Sequence, residues 1–194
     1  MNDTLLAPAP ADLATPASPA ETQFRTAGPQ GQPPRVYAPR LALYHQNGKG
    51  TGSAFTLELR PATSEKDGVM FAALAPQKTA AARNVPASFG WSEKITVKLD
   101  FSDICQMLLV LTGRAESLGE GKGLLHDGPS TRTFISLTHK TEAPWTGYLL
   151  EFSRKDKAAP DGSAARQRIL LTDAEAYGLT LILQNELPHL VFGR

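Results

Sequence analysis

This sequence is short of the residues that small domains use for covalent or metal chemistry. It has a single cysteine, Cys105, which excludes an intramolecular disulfide and any multi-cysteine metal site. Cys105 lies in an apolar helical run, where a buried and inert thiol is expected. The four histidines, His45, His126, His139 and His189, never stand four residues apart, and no glutamate joins them in a zinc-helix pattern. His126-Asp127 has the makings of half an acid–base pair, but no G-x-S-x-G nucleophile motif is there to use it. Paired carboxylates at strand ends are missing as well. Excess charge is also lacking: 20 Lys and Arg face 19 Asp and Glu, a formal net charge of +1. That balance excludes a histone-like polycation, so any affinity for nucleic acid would rest on a polarised surface or on stacking. No apolar run reaches the ~20 residues of a membrane span. The reading is of a soluble chain in a reducing compartment, without cofactor or catalytic site.

What is present divides unevenly. Residues 1–39 hold more than half of the 15 prolines, few aromatics and no apolar periodicity. Such a composition buries too little surface to offset the entropy of ordering, so a disordered tail is expected. The segment lacks the basic start and apolar stretch of a secretory signal. Asp3, Asp12 and Glu21 outnumber Arg25 before Pro34, which is unlike a transit peptide. The remainder, 40–194, has the length of one ordinary domain, and a hydrophobic content of 41% is enough for a core.

That domain spells one programme twice. Strands are expected over Arg40–Gln46, Ser53–Arg60, Val69–Ala75 and Lys94–Leu99, with Asn47-Gly48 and Lys66-Asp67-Gly68 as turns. Phe55, Leu57 and Leu59 alternate with polar neighbours, as do Ile95, Val97 and Leu99. A helix over Phe101–Thr112 follows, capped by Asp100 or Ser102 and ended by Gly113. The second round has strands at Gly123–Asp127, Thr131–Lys140, around Tyr148, Leu150 and Phe152, and at Arg166–Leu171. Its helix, Asp173–Leu187, opens on the capping box Thr172-x-x-Glu175. Leucines occupy nearly the whole circumference of that helix, so it requires cover beyond its own sheet. Neither half looks able to stand alone.

The stretch Gly48-Lys49-Gly50-Thr51-Gly52-Ser53 resembles a phosphate loop only superficially. A Walker loop needs Lys followed directly by Ser or Thr and then a helix, whereas Lys49 precedes Gly50 and a strand. A flexible hairpin is the simpler reading. Basic and aromatic residues interleave more suggestively: Tyr44 and Lys49 flank the hairpin, Arg60 and Lys98 fall on polar strand faces, and Phe89, Trp91 and Lys94 cluster, as do Trp145 and Tyr148. Stacking on such rings with cations tracking phosphates would make a single-strand surface. Equally, aromatics on strands belong to cores and surface lysines to solvent, and these residues alone leave both readings open.

Five fragments in order carry a resemblance across 40–193. Lys49-Gly-Thr-Gly-Ser-Ala-Phe-Thr-Leu-Glu-Leu-Arg-Pro61 is similar to the KGKAAL segment and following strand of the Whirly family of single-stranded-DNA-binding proteins. Leu74-Ala-Pro76, Gly90-Trp91, Leu125-His126-Asp127 and Leu187-Pro188-His189-Leu190 each resemble further stretches of that family. The resemblance implies an α+β fold of two antiparallel four-stranded sheets, each followed by a helix, and tetramers built through the helices. Single-stranded DNA would lie along sheet edges between protomers, and related mitochondrial proteins of trypanosomes bind and anneal RNA. Phosphates would then meet Lys49, Arg60, Lys94 and Lys98, and bases would stack on Tyr44, Phe89, Trp91, Trp145 and Tyr148. Ile104, Met107, Leu108, Leu111, Leu179, Ile182 and Leu183 would form subunit contacts. His126 would close a strand, and His189 would follow a helix end imposed by Pro188. Thr51-Gly52 departs from the motif, which puts in doubt the higher-order assembly tied to it. The expectation is a non-enzymatic, largely sequence-independent binder of single-stranded DNA, acting in genome maintenance or transcription as a homotetramer in a bacterial-type, nucleoid-associated setting. The alternatives are an RNA-binding or annealing protein, or a structural oligomeric interaction module.

Overall fold

Alternation builds the first sheet strand by strand. The computed structural model describes residues 40–144, 146–158 and 164–193, and the segment 1–39, expected as a tail, lies outside them. The first half comprises β1 (Arg40–His45), β2 (Ser53–Arg60), β3 (Val69–Thr79), β4 (Ser88–Phe89), β5 (Ile95–Leu99) and α1 (Phe101–Leu111). β1, β2, β3 and β5 pair side by side, all antiparallel, and the two-residue β4 pairs with the far end of β3. The register sets Leu43, Phe55, Leu74 and Ile95 in one row and Leu41, Leu57, Ala72 and Val97 in the next. One apolar face results, and the alternate residues face outward.

β3 continues past Ala75, where a strand end was expected. Pro76 is accommodated because its backbone edge faces β4, where β5 has already stopped pairing at Leu74. There its carbonyl accepts a hydrogen bond from Gly90 N–H at 2.7 Å, while Gln77 N–H resumes the ladder toward β2 on Gly52 O.

The second half repeats the order with β6 (Leu124–Asp127), β7 (Thr131–Lys140), β8 (Gly147–Asp156), β9 (Ala165–Leu171) and α2 (Asp173–Phe192), a four-stranded antiparallel sheet followed by a helix. Its inward rows are Leu137–Leu150–Ile169 and Leu124–Ile135–Phe152. The protein is therefore an α+β fold of two antiparallel sheets, each followed by a helix.

Both halves bury their apolar faces in one continuous core that includes Phe55, Leu74, Ile104 and Met107 from the first and Ile135, Phe152, Leu179 and Leu183 from the second. The two helices pack on each other. Arg154 of β8 donates to the Thr96 carbonyl oxygen of β5, tying one sheet to the other. Of the residues expected at subunit contacts, Ile104, Met107, Leu111, Leu179 and Leu183 are buried within this chain's own core. Leu108 and Ile182 pack against it half-buried. The apolar side chains that the helices leave exposed are others: Phe101 and Leu109 on α1, and Tyr177, Leu181, Val191 and Phe192 on α2.

Each helix opens on a complete capping box, Asp100 with Asp103 in α1 and Thr172 with Glu175 in α2. In both, the acid at the third helical position is also bound by a histidine of the other half. His45 Nε2, at the end of β1, lies 2.7 Å from Glu175 Oε1. His126 Nε2, on β6, lies 3.1 Å from Asp103 Oδ2. The first strand of each half thus holds the helix of the other.

The helix end expected at Pro188 is not there: α2 runs through it to Phe192, with His189 inside the last turn. The reason is tertiary. Ala62 N–H donates to His189 O at 2.9 Å and Gly68 N–H to Leu190 O at 3.0 Å, so the β2–β3 connection satisfies carbonyls that a helix end leaves open. Leu190, 3% exposed, is anchored in the core, which favours continuation over the local cost of the proline.

Candidate nucleic-acid interface

The outward face of the first sheet is built from small residues with rings and cations at its margins. Its middle row is Ala42–Thr56–Ala73–Thr96, flanked on one side by Arg40–Glu58–Phe71–Lys98 and on the other by Tyr44–Ala54–Ala75. Alanine and threonine keep the floor low, and a trough of about 330 Å³ lies over it, lined by Arg40, Thr56, Glu58, Phe71, Ala73, Trp91, Lys94 and Thr96. β4 and the one-turn 3₁₀ helix Trp91–Glu93 hold the wall of this trough. Gly90 N–H binds Pro76 O, and Glu93 N–H closes the turn on Gly90 O at 2.9 Å.

Three of the expected stacking residues converge here. Tyr44 reaches from the opposite edge strand, with its ring centroid 5.4 Å from Phe89 and 6.5 Å from Trp91, the latter edge-on at 87°. Tyr44 remains 51% exposed and Trp91 37%, so both rings keep open surface while braced by a neighbour. Lys94 lines the trough and Lys98 stands in the row of Phe71. Arg60 lies 4.7 Å above the Phe71 ring centroid and pairs with Glu58 at 3.4 Å, which aligns the guanidinium over an aromatic face. Cations Arg40, Arg60, Lys94 and Lys98 thus outnumber the carboxylates of Glu58 and Glu93 on this surface, and Glu93 is paired with Lys78.

Tyr148 is placed elsewhere. It is on the core side of the second sheet, in register with Leu171 and stacked on His139 at 4.4 Å, so one face of its ring is already covered. Trp145 lies outside the described residues. Lys49 does not join the trough either; it projects from the β1–β2 hairpin.

That hairpin borders a second concavity. A groove of about 800 Å³ runs between it and the second sheet, with His45, Gln46, Asn47, Thr51, Gly52 and Ser53 on one wall and Lys140, Arg168, Leu149, Ile169 and Leu170 among the residues of the other. Tyr44 and His45 are neighbours on β1 whose side chains take opposite sides, so this edge strand separates trough from groove. His45 is fixed by Glu175. Burial pushes the Glu175 carboxyl up, but the hydrogen bonds from His45 and from the backbone and hydroxyl of Thr172 together outweigh it and hold the carboxyl below its ordinary value.

Sequence reasoning missed Arg40, Phe71, Lys140 and Arg168. Phe71 was hidden because β3 is apolar on both faces (Met70, Phe71, Ala72, Ala73), so alternation could not mark which residues point outward. Lys140 and Arg168 belong to a different half from the hairpin they face, and nothing local links them. Among the described residues, no group of three or more His, Cys, Asp or Glu is placed to hold a metal ion.

No protein-family profile matches this chain, and no curated protein sequence does. Solved structures do. WHY1 of Arabidopsis thaliana is 20% identical with a TM-score of 0.61, covering 82% of this chain and 88% of its own. The plant transcriptional regulator PBF-2 is 18% identical with a TM-score of 0.53, covering 81% and 84%. A guide-RNA-binding protein complex, solved with its RNA, is 17% identical with a TM-score of 0.53, covering 81% and 96%. At such identities the likeness concerns the fold, and the pair of sheets with their two interlocked helices is the Whirly fold.

Proposed function

We propose that this protein binds single-stranded nucleic acid, DNA by preference, with little sequence specificity and no enzymatic chemistry. The observation that carries the reading is the cluster of Tyr44, Phe89 and Trp91 standing beside Arg40, Lys94 and Lys98 on one low-floored sheet face. Half-exposed rings offer stacking worth ~1–3 kcal/mol per base, indifferent to base identity. A low-floored trough bordered by rings has room for unstacked bases. The cations neutralise phosphates, so affinity falls as salt rises. Labelled oligo-dT is expected to bind at micromolar concentration or below in low salt and to weaken on salt addition, with matched duplex bound less well. Equal retention of duplex, or no retention of single strands in low salt, overturns the reading.

RNA is the second reading, favoured by the likeness to the guide-RNA-binding complex. Competition between matched DNA and RNA oligomers decides, because only RNA presents the 2′-hydroxyl. A homotetramer remains part of the proposal. With the inner helix residues enclosed in the core, its contacts would fall to exposed Phe101, Leu109, Tyr177 and Leu181, and light scattering of the purified protein measures its mass.

A further inference from the structure

The hairpin between β1 and β2 was expected to be flexible, and it is instead bonded from within. Gln77, on β3, is 6% exposed and uses its whole side-chain amide there. Its Oε1 accepts from Asn47 N–H at 2.9 Å and Gly52 N–H at 3.0 Å, the two ends of the loop. Its Nε2 donates to Asn47 O at 3.0 Å and to Thr79 O at 2.9 Å. Asn47 then organises the tip: its Oδ1 accepts from Lys49 N–H and Thr51 N–H, both at 3.0 Å, and its Nδ2 donates to Thr51 Oγ1 at 3.0 Å. Gly52 has no room for a side chain, because a Cβ would collide with the His45 carbonyl oxygen and Gln77 Oε1. Gly50 takes φ +70°, a conformation that favours glycine.

A buried amide is costly to keep unless it is fully bonded, and here it is, with three of its four bonds directed at one loop. It sets the conformation of a loop 25 to 30 positions away in sequence. The exterior of that loop bears Lys49 and one wall of the groove that faces Lys140 and Arg168. We infer that Gln77 is a positioning residue for single-strand binding: it holds the Asn47–Gly52 hairpin so that Lys49 meets a phosphate without an ordering cost.

The inference rests on the nucleic-acid reading, and one set of variants separates the two. Oligo-dT affinity is measured against salt for the unaltered chain, Lys49→Ala, Gln77→Ala and the double variant, alongside thermal unfolding and amide exchange of the loop. Gln77→Ala is expected to release protection at the Asn47, Lys49 and Thr51 amides and to lower the salt slope by about one, as loss of a phosphate contact does. The double variant is then expected to bind no worse than Lys49→Ala. Asn47→Ala, a change at an exposed position, reports on the same loop if Gln77→Ala does not fold, and is expected to lower the slope likewise. Additive losses in the double variant, an unchanged slope, or undiminished amide protection overturns the positioning role while leaving the nucleic-acid reading intact. An unaltered chain that fails to bind oligo-dT overturns that reading, and the role in binding with it.

Discussion

The two halves of this protein follow one plan but end differently. α1 has 11 residues and stops at Thr112 with Gly113 just beyond, whereas α2 has 20 and passes through a proline. The extra length reaches the first half: the β2–β3 connection bonds His189 O and Leu190 O, while His45 holds the other end of α2 through Glu175. α1 is tied across at its start, by His126 on Asp103. The outward sheet faces differ too. The first carries the Tyr44–Phe89–Trp91 cluster, the second a row of Leu125, Phe134, Ser153 and Arg166 in which Leu125 and Phe134 are exposed. A repeated strands-and-helix programme therefore supplies a shared core, and the departures from repetition supply the clasp and the candidate interface.

The largest effect expected comes from testing whether the core is shared. Phe55→Ala in the first half and Phe152→Ala in the second, both fully buried, should each cost about 3–5 kcal/mol. Each should lower one common transition, seen alike by intrinsic fluorescence of the two tryptophans and far-UV circular dichroism during urea unfolding. A half that melts separately would break the comparison.

Next comes the aromatic asymmetry. Trp91→Ala should weaken oligo-dT binding by ~1–3 kcal/mol, the worth of one stacked base, while Phe134→Ala on the second sheet should change it less. Fluorescence anisotropy at one fixed salt concentration ranks them, and the reverse order would move the interface to the other sheet.

Two glycines test the clasp with opposite signs. A Cβ at Gly68 would stand 2.5 Å from Leu190 Cα and 2.8 Å from Ala62 N, so Gly68→Ala forces the end of α2 off the first half and should destabilise by about 1–3 kcal/mol. Gly178, inside α2, has open space around it, and Gly178→Ala should stabilise by roughly 0.5–1 kcal/mol. Thermal melts of both variants check the pair.

The smallest effect concerns pH. Because the Glu175 carboxyl is held below its ordinary value, its contribution to stability is complete above the ordinary carboxylate range and is lost as pH falls through the lowered value. His45→Ala removes one of the bonds opposing burial, so the acid limb of the stability curve should move to higher pH. His126→Ala leaves Glu175 untouched and should lack that shift. Urea midpoints between about pH 3 and pH 6, the span in which carboxyls titrate, measure it.

Much of the architecture was legible residue by residue. Alternation together with turn signals located every strand but the two-residue β4, and Thr172-x-x-Glu175 marked the start of α2, because such signals act over a few neighbouring residues. Of the residues singled out for binding, Tyr44, Phe89 and Trp91 come together beside Lys94, whereas Tyr148 lies on the other sheet with its ring against His139, a separation that only the tertiary structure shows. Pro188 misled for a related reason. Local chemistry argues for a helix end there, and the bonds that override it come from Ala62 and Gly68, far away along the chain.

The sequence by itself determined the strands, turns, caps and the repetition of one unit, all matters of periodicity and of hydrogen bonds closed within a turn or two. Only the tertiary structure decided that the helices' apolar faces serve this chain's own core, that His45 meets a glutamate 130 positions on, and that a buried glutamine holds the Lys49 hairpin. Those contacts depend on which surfaces the two halves bring together, and no window of neighbouring residues contains that information.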